Sequence, residues 1–276
     1  MPSNRRRVLF TGAVALLAAR RLPAGEPEGG RADIWQKVRA SLFESRPIEG
    51  GDQQVVALDA PVRAEDAATV PIAIRTATLP VDGRHVSKLW LVIDRNPSPI
   101  AAIFTFSPDS GRADIETRVR IDEYTWVRAV AETNDGKLYM TSRYVKASGG
   151  CSAPAGKDQE AALANIGRMK LKLDDEPRLN RPNIVQLMIS HPNNSGFAMD
   201  QVTHLYVPAH YVRQIEVTYA GRPVMSADVD FSISENPNFR FYFVPREAGE
   251  LRAEVVDSSD RRFHGAIAVK PAKDPS

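Results

Sequence analysis

The chemistry that stands out in this chain belongs to its single cysteine. Cys151 lies in the segment Ser148–Asp158 (SGGCSAPAGKD), directly after Gly149 and Gly150. A deprotonated thiol is a nucleophile and can accept a sulfur group. Because glycines leave the backbone free and give little steric cover, the pattern predicts a mobile, solvent-exposed thiol. A neutral linker cysteine and a disulfide between two chains are the alternatives that these residues leave open.

The histidines give a weaker signal for a metal site. His204 and His210 lie in one short stretch, and a third ligand would have to come from a residue such as His191 or Asp200. Loop histidines more often hydrogen-bond backbone groups, so we predict neither a metal site nor a bound cofactor. A single cysteine also excludes a cysteine-rich zinc site and a CxxC redox pair.

Motifs typical of enzymes are absent from the sequence, and its composition is that of an ordinary globular protein. There is no GxGxxG, GxxxxGK[ST], GxSxG or HExxH, so we predict a protein without turnover of its own. The 276 residues include 36 Lys and Arg against 34 Asp and Glu, a net charge of +2. Such a balanced charge argues against a nucleic-acid partner.

The N-terminus has the pattern of an export signal. Arg5, Arg6 and Arg7 precede the apolar run Val8–Ala19, and Arg20–Arg21 follows it. Twelve apolar residues are too few to span a bilayer as a helix but suit a signal peptide. We therefore predict a twin-arginine-like signal over residues 1–29, with an uncleaved anchor as the alternative. The mature protein is expected in a bacterial periplasm, without a membrane segment.

The rest of the chain has the alternation of short β-strands. In Ile115–Ile121, the residues Ile115, Thr117, Val119 and Ile121 share one face, whereas Glu116, Arg118 and Arg120 share the other. The first predicted series is Gln54–Leu58, Val70–Thr76, Lys88–Asp94, Ala101–Phe106, Ile115–Ile121, Thr125–Ala131 and Leu138–Lys146. The second is Met169–Leu173, Ile184–Ser190, Val212–Tyr219, Pro223–Val229, Phe239–Val244, Leu251–Asp257 and Phe263–Val269.

Two strand series of this spacing predict an all-β protein with two immunoglobulin-like β-sandwich domains, at residues 30–147 and 169–276. A short helix over Asp33–Ser45 is predicted before the first domain. Between the domains we predict a flexible, cysteine-bearing linker over residues 148–168, with a short alanine-rich helix at Gln159–Met169.

Several short motifs resemble the sulfur-oxidation subunits SoxY and SoxZ. The SoxY-like motifs are Ala64–Thr76 (AEDAATVPIAIRT), Asn96–Pro99 (NPSP) and Tyr144–Cys151 (YVKASGGC). The SoxZ-like motifs are His191–Pro192 with Gly196 and Asp200, Val207–Tyr211 (VPAHY) and Ser232–Phe239 (SISENPNF). From Asp33 to Lys270, the chain resembles the fused SoxYZ-like carriers associated with quinoprotein dehydrogenases.

This resemblance implies a role for one residue, Cys151, which would hold a sulfur or other thiol-linked intermediate covalently. Gly149 and Gly150 would give the arm its flexibility, and the covalent adduct would be the only group carried. The implied partners are periplasmic redox or sulfur-oxidising enzymes, with a quinoprotein dehydrogenase or a c-type cytochrome as candidates. The alternative is a non-covalent accessory protein of a quinoprotein dehydrogenase.

The chain departs from the family in the position of its arm. The SoxY arm is a free C-terminus that ends in Cys-Gly-Gly, whereas here Cys151 is followed by Ser152, Ala153, Pro154 and a second domain. The arm is therefore expected to be a loop tethered at both ends.

Overall fold

The computed structural model describes residues 31–50, 55–77, 83–154 and 163–272. The predicted signal peptide lies outside these residues, as do residues 159–162 of the predicted helix Gln159–Met169, and Met169 itself begins a strand. Within the described ranges, no helix has the length and apolar character needed to cross a membrane.

The elements whose two ends both lie within the described residues are one helix, fifteen strands and one short 3-10 turn between strands. The elements are α1 (Arg31–Phe43), β1 (Ile48–Gly50), β2 (Val56–Asp59), β3 (Val70–Thr76), β4 (Val86–Ile93), β5 (Ile100–Phe106), the 3-10 turn Pro108–Ser110, β6 (Ile115–Val119), β7 (Thr125–Thr133), β8 (Leu138–Val145), β9 (Met169–Leu173), β10 (Asn183–Ile189), β11 (Val212–Tyr219), β12 (Arg222–Val229), β13 (Asn238–Phe243), β14 (Gly249–Asp257) and β15 (Arg262–Val269). This confirms the all-β class with a short N-terminal helix.

The strands form two sheets, and both sheets run through the two halves of the chain. The larger has the order β1-β8-β7-β4-β5-β12-β11-β14-β15, and the smaller has the order β2-β3-β6-β13-β10-β9. The halves meet where β5 pairs antiparallel with β12, as in Phe104 opposite Ala227, and where Glu116 on β6 pairs with Arg240 on β13. The two predicted sandwiches therefore join edge to edge.

Alternating side chains build a core between the two sheets. On β3, the buried Val70, Ile72 and Ile74 alternate with residues that face outward, as expected for a strand with one buried face. Phe104 on the larger sheet meets Phe239 on the smaller one, with ring centroids 6.1 Å apart. Because these two rings come from different halves, the core is continuous across the junction.

Helix α1 covers part of the outer face of the larger sheet. Trp35 and Phe43 are buried against Trp90 of β4, and the Phe43 and Trp90 rings meet edge to face at 5.0 Å. The helix ends at Phe43, and the next residue, Glu44, has a left-handed backbone conformation (φ 53°). Strand β1 was not predicted, because Pro47 and the Gly50–Gly51 pair were interpreted only as the end of the preceding helix.

Candidate functional site

Cys151 is buried, with only 1% of its surface exposed. The prediction of a mobile, solvent-exposed thiol is therefore wrong for this structure. The reason is that the segment after β8 docks along the chain that follows β6. The Gly149 amide donates to the Asp122 carbonyl at 2.8 Å, and the Gly150 amide donates to the Ile121 carbonyl at 2.9 Å.

The two glycines serve this docked conformation through their lack of a side chain. Gly149 has a φ of 78°, in the region that favours glycine. A Cβ atom at Gly150 would lie 2.1 Å from the Ala67 carbonyl oxygen and 2.7 Å from that of Ile121. Both oxygens are backbone atoms and cannot move aside as a side chain could. Any larger residue at position 150 would therefore displace the segment that carries Cys151 from its docked position.

The second half of the chain covers Cys151 from the other side. The Ser195 hydroxyl donates a short hydrogen bond to the Cys151 carbonyl, and Ser195 is itself buried. Ser195 lies on the loop formed by residues 190–211, which connects β10 to β11. Reciprocal backbone hydrogen bonds between Asn194 and His210, of 2.8 and 3.0 Å, hold this loop closed. The thiol is thus enclosed at the junction of the two halves.

Burial makes the docked thiol a weak nucleophile. It raises the pKa of Cys151 to about 12, and the negative charges of Asp122 and Asp230 act in the same direction. The positive charge of Arg120 opposes this rise without cancelling it. At neutral pH the docked sulfur is therefore a protonated thiol, and the nucleophilic form is the thiolate.

Arg120 is a buried cation at the same junction, where the sequence pattern predicted an outward-facing residue. The β6 strand ends at Val119, and the Arg120 side chain then turns inward, so that only 6% of the residue is exposed. Its guanidinium donates to the carbonyls of Asn193 at 2.8 Å and Ile233 at 3.0 Å. Alternation within one strand could not reveal this, because both partners come from the other half of the chain.

The candidate metal ligands separate into two groups. His204 and Asp200 lie on an exposed turn, where the Asp200 carboxylate accepts backbone amides. His191 and His210 instead meet Asp257, which the sequence did not single out. The Asp257 carboxylate oxygen lies 2.8 Å from Nε2 of His210 and 3.6 Å from Nε2 of His191.

This buried histidine cluster does not fit a metal in the described conformation. Nδ1 of His191 accepts the Asn193 amide at 3.0 Å, so in the neutral ring the proton is on Nε2. A nitrogen that carries a proton has no lone pair to give to a metal ion. Burial and the nearby His210 lower the pKa of His191 to about 4, which keeps the ring neutral at pH 7. The cluster is therefore a hydrogen-bonded anchor for the 190–211 loop.

Comparisons with known proteins match the first and the second half of the chain to two different families. Residues 39–151 match the family model for sulfur oxidation protein SoxY, and residues 171–268 match that for sulphur oxidation protein SoxZ. No curated protein matches the chain.

Two solved structures illustrate the structural likeness. The sulfur carrier protein SoxY from Chlorobium limicola f thiosulfatophilum is 26% identical over 42% of this chain and 96% of its own, with a TM-score of 0.35. A superoxide reductase (neelaredoxin) from Ignicoccus hospitalis is 12% identical over 36% of this chain and 94% of its own, with a TM-score of 0.31. The family assignment rests on the two family models. The chain, a SoxY domain followed by a SoxZ domain, belongs to the fused SoxYZ-like family of sulfur-oxidation carriers.

Proposed function

We propose that Cys151 holds a sulfur intermediate covalently and presents it to sulfur-oxidation enzymes. The observation that carries this proposal is that the SoxY match ends on Cys151, which is also the only cysteine in the sequence. The resemblance of Tyr144–Cys151 (YVKASGGC) to the SoxY arm supports assigning the carrier thiol of the family to this cysteine.

The docked conformation is the resting state of the carrier. The arm must leave it before Cys151 can accept a sulfur group. Undocking breaks the Gly149 and Gly150 amide hydrogen bonds and the one from Ser195. In water, the pKa of the thiol returns towards its ordinary value of about 8.5, and the thiolate becomes available. The thiolate then attacks a sulfur–sulfur bond of a donor. A new sulfur–sulfur bond forms on Cys151, and the other sulfur of the donor leaves as an anion.

We also propose that this carrier works in the periplasm with a redox enzyme as its partner. The arginines and the apolar run within residues 1–29 support export to the periplasm by the twin-arginine route. A quinoprotein dehydrogenase or a c-type cytochrome there would serve as the redox partner, and the protein itself would have no turnover.

Intact mass spectrometry of protein purified from its native cells tests the covalent role. The wild type is expected to carry a mass addition that a reductant removes, and Cys151→Ser is expected to lack it while remaining folded. An unmodified wild-type mass, under conditions in which the cells oxidise sulfur compounds, would contradict the proposal.

The burial of Cys151 favours a second candidate, a non-covalent accessory protein of a periplasmic quinoprotein dehydrogenase. In that case no adduct forms, and Cys151→Ser co-purifies with the dehydrogenase as well as the wild type does. The same preparations therefore distinguish the two functions.

A further inference from the structure

Arg120 lies in one of the two segments that enclose Cys151 and hydrogen-bonds to the other. On one side, the Gly150 amide bonds to the carbonyl of Ile121, the residue after Arg120. On the other side, the Arg120 guanidinium bonds to the carbonyl of Asn193, two residues before the Ser195 that caps Cys151. Arg120 and Cys151 therefore both connect the first half of the chain to the 190–211 loop of the second half.

Arg120 forms no close ion pair among the residues that the structure describes, and the carboxylates of Glu235 and Asp66 act on its charge without contacting it. Its guanidinium donates to the backbone carbonyls of Asn193, Ile233 and Phe231, and no carboxylate lies within ion-pair distance of it. Carbonyl dipoles solvate a cation but do not neutralise it, and an unpaired buried charge is costly. The docked site thus contains a positive charge that an anion would offset.

The other charges facing Cys151 are negative. Asp122 and Asp230 both act against a negative charge on the sulfur. Asp230 keeps one carboxylate oxygen buried without a hydrogen-bond partner. An anionic group on Cys151 would be repelled by both carboxylates, and Arg120 is the cation that opposes them.

We propose that Arg120 is a positioning residue that keeps the arm docked when Cys151 carries an anionic group. This inference rests on the proposed function, because it assigns the arginine to a loaded state of the same thiol. A neutral thiol docks through the hydrogen bonds of the Gly149 and Gly150 amides and the Ser195 hydroxyl, whereas a negatively charged adduct also needs the guanidinium.

The test uses two adducts that are placed on the purified full chain by chemistry. Tetrathionate forms a sulfur–sulfur bond between Cys151 and one of its central sulfurs, releases thiosulfate and leaves an anionic adduct. Methyl methanethiosulfonate releases methanesulfinate and leaves a neutral methylthio adduct. In both reactions the thiol loses its proton to the buffer and is oxidised, and the reagent is reduced. Hydrogen exchange of the Gly149 and Gly150 amides then reports how far the arm is docked.

In the wild type, we expect the two amides to exchange as slowly with the anionic adduct as with the neutral one. Arg120→Gln should speed their exchange in the anionic adduct by about tenfold or more relative to the neutral adduct, in line with the strength of charge-assisted hydrogen bonds. Arg120→Lys, which keeps the charge, should restore most of the protection.

Two results would overturn the inference. One is equal acceleration of both adducts in Arg120→Gln, which would make the arginine only a structural link. The other is fast exchange of the anionic adduct already in the wild type, a result that needs no variant to fold. Absence of a native adduct would instead overturn the proposed function, because both adducts here are imposed chemically.

Discussion

His191 is a buried neutral base, and its effect on stability depends on pH. Its pKa is lowered from 6.5 to about 4 in the folded protein, so the unfolded chain takes up a proton that the folded chain does not. The contribution of His191 to the free energy of unfolding is therefore fully present above about pH 6.5 and is lost as the pH falls towards 4.

We expect His191→Gln to reduce the difference in unfolding free energy between pH 7 and pH 5, as measured by urea denaturation. The control is His264→Gln on β15, which replaces an exposed histidine and leaves the cluster intact. The assignment fails if His191→Gln and His264→Gln show the same pH dependence.

The individual residues differ in how far the sequence could predict them. Cys151 could be found from its uniqueness, but its burial could not, because the Ser195 that covers it is 44 residues further along the chain. Asp257 meets His210 across 47 residues and was missed for the same reason. Local pattern identifies residue types with a chemistry, and contacts between distant segments decide their environment.

Helix α1 is stabilised by packing on the sheet. Phe43 is fully buried against Trp90, so Phe43→Ala should lower the free energy of unfolding by about 3–5 kcal/mol, the usual cost of a large cavity in a core. Val62→Ala, at a residue that is 71% exposed, should change it by less than about 0.5 kcal/mol. Urea denaturation measures both, and a Phe43→Ala cost as small as that of the control would show that α1 is not packed.

Elements were more predictable than contacts between them. All fourteen predicted strands are present, since alternation and turn residues are local signals, and Val70–Thr76 has the predicted bounds. The three-residue strand β1 was missed because its pairing with Leu138–Met140 of β8 is a long-range feature. The edge-to-edge joining of the two halves was missed in the same way.

Continuity of both sheets predicts that the two halves unfold together. Ile74 on β3 and Leu187 on β10 are fully buried in one cluster that spans the junction. Alanine at either position should lower stability by about 2–5 kcal/mol and shift one shared calorimetric transition. Two separate transitions, each sensitive to only one of the variants, would show that the halves are independent domains.

The whole molecule encloses its thiol between two halves, and that enclosure should control reactivity. Below about pH 8.5, the ordinary pKa of an exposed thiol, an undocked thiol is still mostly protonated. Above it, ionisation draws the arm out of the docked site, in which the pKa of Cys151 is about 12. The docking stability is therefore present at neutral pH and falls as the pH rises from about 8.5 towards 12.

The most direct test is the rate of Cys151 alkylation by iodoacetamide between pH 7 and 10. In the wild type the rate should rise about tenfold per pH unit across this range, without levelling at the pKa of an exposed thiol, about 8.5. Gly150→Ala, whose Cβ would meet the Ala67 carbonyl, should react at least about tenfold faster at pH 7.5 and level off near pH 8.5. Gly50→Ala, where the added Cβ meets nothing within 4 Å, should behave as the wild type. A wild-type rate that equals that of Gly150→Ala and levels near pH 8.5 would contradict the docked carrier thiol.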